Sequence, residues 1–158
     1  MRYPQRMAVR DRLASRLGLD DSFLTEDLDL YLRPEDLPRL ADFGIEVGNH
    51  TRSHVHCRGL DPQSARAEIL DAKAELEAWT GCRVRAFSFP YGSRLDATPL
   101  AMETIAAAGH DAVFFASARA NHPASHGEGP RRFDRVAFAA EPASQLFLDL
   151  EVFPLLRG

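Results

Sequence analysis

The chain has 158 residues, enough for one domain with its own core and too few for two ordinary domains. Its formal net charge of −4 at pH 7 gives no reason to expect nucleic acid or an anionic membrane as a partner. No uncharged run is long enough to cross a bilayer, and arginines stand where a signal peptide would be apolar. As written, the sequence predicts a cytoplasmic protein. Cys57 and Cys82 are too few for a disulfide framework and are expected to be free thiols.

Helix and strand signals alternate along the chain. The predicted helices, most of them bounded by proline, aspartate or glycine, lie at residues 9–17, 34–43, 62–80, 100–108 and 143–153. The predicted strands are short apolar runs at residues 45–47, 84–89, 112–116 and 135–138. The connecting segments include an acidic stretch at residues 20–29 and a loop rich in Gly, Pro and His at residues 121–130.

The helix predicted at residues 62–80 has the clearest signals. Asp61 is a natural N-cap, Pro62 occupies the first helical position, and Gly81 ends the helix. Apolar residues at helical spacing predict one buried stripe, formed by Ala65, Ile69, Ala72, Leu76 and Trp79.

Segments long enough for helices separate the predicted strands, so the sheet should be largely parallel with helices packed outside it. Four clear strands are predicted, whereas a closed α/β barrel needs about eight. We therefore expect a single α/β domain over residues 1–158, with either an open sheet or part of a barrel.

The densest polar cluster is Gly-Asn-His-Thr-Arg-Ser-His-Val-His-Cys at residues 48–57, directly after the first predicted strand. In α/β folds, ligands bind at the carboxyl ends of parallel strands. His50 and His54 are four residues apart, so on a helical turn their ring nitrogens can converge on one cation. Thr51 and Ser53 can hold that turn by hydrogen bonds. The alternative is an incidental histidine pair, because this spacing alone is common.

A second motif, Ser-Phe-Pro-Tyr-Gly at residues 88–92, also follows a strand end. Both motifs should therefore open on the same side of the sheet. Pro90 and Gly92 predict a sharp turn around Tyr91. Phe89 and Tyr91 are either core aromatics or part of the wall of a site.

Taken together, Gly-Asn-His-Thr-x-Ser-His, a long helix ending in Trp-Thr-Gly, and Phe-x-Phe-Pro-Tyr-Gly resemble the polysaccharide deacetylases of carbohydrate esterase family 4, the NodB homology domain. The resemblance continues through residues 103–109 and 134–136, and covers about residues 33–140. The two motifs in this order and separation are a strong signal, whereas either alone is weak.

The resemblance implies a partial or irregular (β/α) barrel and a divalent metal, usually zinc, held by two histidines and an aspartate. In the family the metal polarises an acetamide carbonyl and activates a water, while a second aspartate is the general base. By position, His50 and His54 match the metal ligands. Tyr91 matches the residue whose backbone N–H binds the oxyanion, and Phe89, Pro90 and Tyr91 would contact the sugar. The implied reaction removes acetyl groups from an acetylated glycan.

Three features of the family's pattern are missing. The Thr-Phe-Asp-Asp-Gly strand, which carries both acids, has no counterpart, since Asp20 and Asp21 follow no β-branched run and precede no glycine. Ser88 stands where many members have an arginine that orients the catalytic aspartate. The Leu-x-His motif is not evident, and the later histidines are expected on the surface or in loops: His110, His122 and His126.

These departures leave three interpretations. The first is an enzyme of this family, or the C-terminal part of one without its first strands, in which case an uncovered sheet edge predicts self-association. The second is a non-catalytic remnant that binds metal or glycan. The third, a closed structural zinc site of His50, His54, His56 and Cys57, is disfavoured because the last two follow too closely to converge. Without both acids, the chain alone should be a poor deacetylase.

Overall fold

The computed structural model describes residues 3–18, 32–117, 121 and 129–135. Its helical segments are, in chain order, α1 (Tyr3–Leu17), a 3-10 helix (Pro34–Phe43), α2 (Pro62–Ala65), a π-helical turn (Arg66–Asp71), α3 (Ala72–Thr80) and α4 (Pro99–Ala107). Single 3-10 turns lie at Cys57–Gly59 and Arg94–Asp96. The strands are β1 (Ala86–Ser88), β2 (Ala112–Phe115) and β3 (Arg131–Asp134). Within these ranges, no helix has both the length and the apolarity needed to span a membrane.

The three strands form one sheet in the order β1-β2-β3, and both pairs are parallel. The helix α4 connects β1 to β2, as a parallel pair requires a crossover of this kind. The largely parallel sheet that the sequence predicted is therefore confirmed over the described residues, as is a helical crossover between β1 and β2. The part of the chain described here contains this small sheet and no closed barrel, so the barrel stays a prediction.

The structure has no strand at residues 45–47, so that prediction is wrong. The sheet contact is made further along the chain, by an isolated parallel bridge between Asn49 and Phe87. The Asn49 N–H donates to the carbonyl of Ala86 at 2.9 Å, and the Asn49 carbonyl accepts from the N–H of Ser88 at 2.9 Å. Because β1 begins only at Ala86, the residues before Asn49 have no strand alongside with which to pair.

A strand that the sequence did not predict pairs with β2. This strand is β3, whereas the strand predicted at residues 135–138 lies, after Arg135, outside the described ranges. The prediction missed β3 because Arg-Arg-Phe-Asp contains one apolar residue and so lacks an alternating pattern. That residue, Phe133, stacks on Phe114 of β2 with ring centroids 5.4 Å apart. The acidic stretch at residues 20–29 and the helix at 143–153 also lie outside the described ranges.

The boundaries of the long helix at residues 62–80 are those expected. The Asp61 side chain accepts the N–H of Ser64 at 2.8 Å, and Pro62 occupies the first turn. Gly81 ends the helix in the left-handed conformation, with φ of 68°. The sequence thus determined both ends of this helix through local capping chemistry.

The buried stripe of the same helix is only partly as predicted. Ala65, Ile69 and Ala72 are buried, but Trp79 is 43% exposed. The π-helical turn in the middle of the helix accommodates one extra residue, which rotates the following turns by roughly 100°. Lys73 and Thr80 therefore face inward in place of Trp79.

The hydrophobic core lies where the sheet meets the long helix and α4. Its buried members are Cys57, Ile69, Phe87, Phe89, Ala101, Ile105, Val113 and Phe115. Phe87 and Phe89 lie two residues apart and face the same side of the sheet, because strand side chains alternate. Their rings meet edge to face with centroids 5.1 Å apart. Phe87 of β1 and Phe89, which directly follows it, thus fix the strand whose end carries the second motif.

Gly92 makes a close backbone contact with the end of β2. Its φ is +62°, and its carbonyl accepts the N–H of Ala116 at 3.0 Å. A Cβ on Gly92 would lie 2.2 Å from the Ala116 Cβ and 2.6 Å from its backbone nitrogen. We expect Gly92→Ala to lower the free energy of unfolding by about 2–5 kcal/mol, because left-handed strain adds to the overlap with backbone.

Gly109→Ala is the matched control for this measurement. Gly109 has a φ of +76°, but a Cβ there would meet no atom within 4 Å. Gly109→Ala should therefore lower the free energy of unfolding only by the left-handed strain, about 1–2 kcal/mol. Urea denaturation followed by the fluorescence of Trp79 gives both values. Equal losses in the two variants would contradict the close approach of Gly92 to Ala116.

Candidate functional site

The histidine loop (residues 50–56) leaves the sheet directly after the bridge at Asn49. His50 Nδ1 lies 2.7 Å from the carbonyl oxygen of Ser88, the last residue of β1. A carbonyl oxygen can only accept, so Nδ1 carries the hydrogen and the neutral ring keeps its lone pair on Nε2. His50 therefore lies at the carboxyl edge of the sheet, as the sequence predicted, and its Nε2 takes no part in the bond to Ser88.

The two predicted metal-ligand histidines lie side by side. The ring centroids of His50 and His54 are 5.0 Å apart, with the ring planes at 70°. His50 is half-buried and His54 is exposed. Two imidazoles at this separation can provide two of the ligands of one divalent ion.

The histidines converge for a different reason from the one expected. The loop is not a helical turn, because Thr51 and His54 have positive φ values of 64° and 52°. Such left-handed conformations are uncommon for residues other than glycine. The Thr51 hydroxyl accepts the N–H of Val55 at 3.3 Å, so it does hold the loop as expected. Ser53 also does so, through its N–H and hydroxyl, which donate to Glu68.

The Tyr91 ring lies against the rings of His54 and His56 in the histidine loop. Its ring centroid is 5.1 Å from that of His54 and 3.8 Å from that of His56, on which it stacks. The Tyr91 hydroxyl donates to the carbonyl oxygen of His54 at 3.2 Å. The His50 and Tyr91 motifs therefore open at the same end of the sheet, as expected. The contact of the Tyr91 backbone with an oxyanion stays a prediction.

Phe89 is not part of the wall of this site. Its side chain is fully buried and stacks on Phe115 at a centroid distance of 5.2 Å, so it cannot reach a ligand at the surface. The prediction that the Phe89 side chain contacts substrate is wrong, and the alternative of a core aromatic is correct. Pro90 is half-buried and Tyr91 is half-exposed, so the turn itself remains accessible.

His56 hydrogen-bonds to a buried carboxylate that no sequence pattern indicated as its partner. Its Nδ1 lies 3.0 Å from Oδ2 of Asp96, and the backbone N–H of Arg58 donates to Oδ1 of the same residue at 3.1 Å. Asp96 is 1% exposed and lies in the 3-10 turn after the Pro-Tyr-Gly motif. No local pattern could reveal this pair, because its members are 40 residues apart.

The closed structural zinc site finds no support in this arrangement. His56 is directed to Asp96, and Cys57 is buried in the core. Burial, and then the charges of Asp96 and Glu68, raise the pKa of the Cys57 thiol to about 12, so it is protonated at neutral pH. Both cysteines are free thiols, as expected. Among the described residues, no group of three His, Cys, Asp or Glu is arranged to hold a metal ion.

An arginine that directly follows β3 contacts Ser88. Arg135 follows β3, and its Nη2 donates to the hydroxyl of Ser88 at 2.7 Å. Its backbone N–H donates to the carbonyl of Phe115 at 2.9 Å. The resemblance drew attention to Ser88 because many family members have an arginine at that position. Here a guanidinium lies beside Ser88 by tertiary contact, which the sequence could not show.

A cavity of about 550 Å³ opens beside this cluster. It is lined by Tyr91, Gly92, Ser93, Arg94, Leu95, Ala116 and Ser117. A more enclosed apolar groove of about 250 Å³ lies elsewhere, between the 3-10 helix and the segment after Gly81. Of these two hollows, the 550 Å³ cavity is the one that adjoins the histidines through Tyr91.

His110 lies in the segment between α4 and β2, so the expectation of a loop position is met, but it is buried and not on the surface. Its Nε2 lies 3.3 Å from the side-chain amide of Asn49, and its ring packs 5.7 Å from that of Phe87. Burial, and then the positive charge of Lys73, lower the pKa of His110 to about 4. The imidazole is therefore neutral at pH 7. His122 and His126 lie outside the described residues.

The family model described as "Polysaccharide deacetylase" matches residues 20–113, which is more than half of the chain. The chain therefore belongs to the polysaccharide deacetylase family, as the two motifs predicted.

Individual relatives match only in part. The chain is 40% identical over 58 residues to the "Uncharacterized protein SCO4760" of Streptomyces coelicolor, covering 37% of this chain and 23% of that protein. It is 29% identical over 73 residues to the "Putative polysaccharide deacetylase YxkH" of Bacillus subtilis, covering 46% of this chain and 26% of that protein. The match thus spans about a quarter of each relative's length.

A solved structure shares the fold. The crystal structure of BC0361, a polysaccharide deacetylase from Bacillus cereus, superposes with a TM-score of 0.61 at 16% sequence identity. The alignment covers 76% of this chain and 37% of that one. At this identity the likeness establishes the fold and not the activity.

The buried His110 predicts a dependence of stability on pH. Its pKa in the folded state lies below the ordinary value of about 6.5, so the unfolded chain binds this proton first. The free energy of unfolding should therefore fall as the pH drops from about 6.5 to 4, by about 3 kcal/mol from this group. Urea denaturation across this range should show a smaller fall for His110→Gln than for the parent. A parent–variant difference that stays constant with pH would contradict the buried neutral imidazole.

Proposed function

We propose that the chain forms the metal and substrate contacts of a metal-dependent deacetylase that hydrolyses the acetamide groups of N-acetylated carbohydrates. The observation that carries this proposal is the approach of the His50 and His54 rings to 5.0 Å beside Tyr91, at the carboxyl edge of a parallel sheet. Membership in the polysaccharide deacetylase family supports the reaction class. An acetylated glycan is the substrate class that follows.

The donors present fit a zinc site in part. Zinc accepts neutral imidazole nitrogen, and the bond from His50 Nδ1 to Ser88 is the kind that orients such a ligand. Two ligands leave coordination positions for a carboxylate and for water or substrate. A divalent cation bound by His50 and His54 would polarise the acetamide carbonyl and lower the pKa of a bound water.

The residues around the pair have separate roles in this proposal. Ser88 orients the His50 ring through its carbonyl oxygen. Tyr91 offers a half-exposed ring to a sugar face, and its backbone N–H is proposed to bind the substrate oxygen as negative charge develops. The cavity of about 550 Å³ beside Tyr91 is within the size range of small-molecule sites. Its Ser93, Arg94 and Ser117 side chains can hydrogen-bond sugar hydroxyls.

The first test is metal uptake. Alanine at His50 or His54 should abolish stoichiometric zinc binding, because each removes one of two imidazole ligands. His56→Asn is the matched control, because it removes the third imidazole of the loop but keeps a side-chain amide that can donate to Asp96, and it should bind zinc like the parent. Isothermal titration calorimetry with zinc alone gives the stoichiometry. A double alanine variant at His50 and His54 that binds as tightly as the parent would show that the metal lies elsewhere.

The second test is catalysis. We expect slow, metal-dependent acetate release from an N-acetylglucosamine oligomer with zinc or cobalt, because no Asp-Asp-Gly motif supplies a general base. Loss of a general base typically lowers the rate about 10²–10⁴-fold. Zinc uptake and oligomer binding without turnover would favour the binding-only alternative. Turnover of about one per second that is lost in Asp21→Asn would instead show that the acidic pair at residues 20–21 takes part in catalysis.

A further inference from the structure

Glu68, in the π-helical turn of the long helix, hydrogen-bonds to the histidine loop. Its carboxylate accepts the backbone N–H of Ser53 at 2.9 Å and also the Ser53 hydroxyl. Its carbonyl oxygen accepts the N–H of Arg52 at 3.2 Å. Glu68 is only 4% exposed. A carboxylate buried this deeply is unfavourable unless hydrogen bonds compensate it, and Ser53 provides two of those bonds.

The bonds to Ser53 act at the strained part of the loop. Ser53 lies directly before His54 and two residues after Thr51, and both of these neighbours have left-handed φ values. Residues with a side chain rarely adopt this conformation by their own preference, so the surrounding contacts must impose it. Fixing Ser53 in place therefore fixes the backbone from which the His54 ring extends.

The same turn also contacts the residue before His50. The carbonyl of Ile69 accepts the side-chain amide of Asn49 at 2.8 Å. One turn of the helix thus bonds to Asn49 and to Ser53, each the residue immediately before one of the paired histidines. π-helical turns occur frequently at functional sites. In this chain, the Ile69 carbonyl and the Glu68 carboxylate of the turn bond to Asn49 and Ser53, the residues that precede the two histidines.

We infer that Glu68 is the positioning residue of the candidate metal site, acting through Ser53 to hold the His54 ring beside that of His50. This inference rests on the proposed function for the role of the metal. The claim that Glu68 holds Ser53, and with it the His54 ring, rests on the hydrogen bonds alone. Glu75, on the same helix, provides a contrast, because it forms an ion pair with Arg52 in which both side chains are 45% exposed.

The experiment compares three variants of the full chain by calorimetric titration with zinc alone. Glu68→Ala should weaken zinc affinity by about 10–100-fold, the usual effect of removing a group that orients a ligand. Glu68→Gln should stay within about threefold of the parent, because its amide oxygen can accept the Ser53 N–H and its amide nitrogen can donate to the hydroxyl. The matched control Glu75→Ala should bind like the parent, because an exposed pair contributes little.

A second readout does not depend on the metal. Imidazole ¹⁵N resonances of metal-free protein should move for His54 in Glu68→Ala and stay unchanged in Glu75→Ala. The resonances of the buried His110 should not move in either variant, and so report that the fold is intact. If the parent takes up no zinc, the metal in the proposed function is refuted, while the imidazole resonances still test Glu68.

Two results would overturn the inference. One is a folded Glu68→Ala variant with the zinc affinity and imidazole resonances of the parent. The other is an equal loss in Glu68→Ala and Glu68→Gln, which would assign the effect to charge and not to the hydrogen bonds. If Glu68→Ala does not fold, Ser53→Ala removes the hydroxyl donor alone. It should weaken zinc binding about threefold or more, and parent-like binding by this variant would equally overturn the inference.

Discussion

The side chain and backbone of Asn49, which is 1% exposed, bond to four parts of the molecule at once. Its backbone pairs with β1, and its amide nitrogen donates to the Ile69 carbonyl of the long helix. The amide nitrogen also faces His110, and the amide oxygen accepts the N–H of Thr51 in the histidine loop at 3.1 Å. Because buried polar groups must be hydrogen-bonded, these partners leave Asn49 little freedom to move. The position of His50 follows from this constraint.

The histidine loop beyond Asn49 is held by two buried carboxylates from different elements. Glu68 accepts from Ser53, and Asp96 accepts from His56 and Arg58. Each carboxylate receives at least two hydrogen bonds from the loop or from the turn that follows it. The loop therefore needs no helical conformation to bring His50 and His54 together. A site held in this way is ordered before any ligand arrives, which reduces the reorganisation that binding requires.

Family membership and the details of this chain make different contributions to the site. The family accounts for the two motifs and their common location at the carboxyl edge of the sheet. The particular chain places Arg135 beside Ser88, stacks His56 on Tyr91 and pairs His56 with Asp96. These three features surround Tyr91 and the carbonyl that orients His50.

The sequence by itself determined the features that depend on neighbours along the chain. Asp61, Pro62 and Gly81 specify the ends of the long helix because capping bonds and backbone preferences span only a few residues. The alternation of helices and strands indicated a parallel sheet, and the two motifs indicated which edge of it carries the site. For the same reason, the family could be recognised from the motifs alone.

Only the tertiary structure decided the features that depend on distant contacts. The π-helical turn shifted the buried face of the helix and exposed Trp79, although the apolar spacing predicted a regular stripe. His110 became buried because Asn49 and Phe87, far away in sequence, surround it. Left-handed backbone at Thr51 and His54, and not helical spacing, brings the two rings together. Such conformations are imposed by hydrogen bonds to other elements, and a local pattern of residue types does not contain that information.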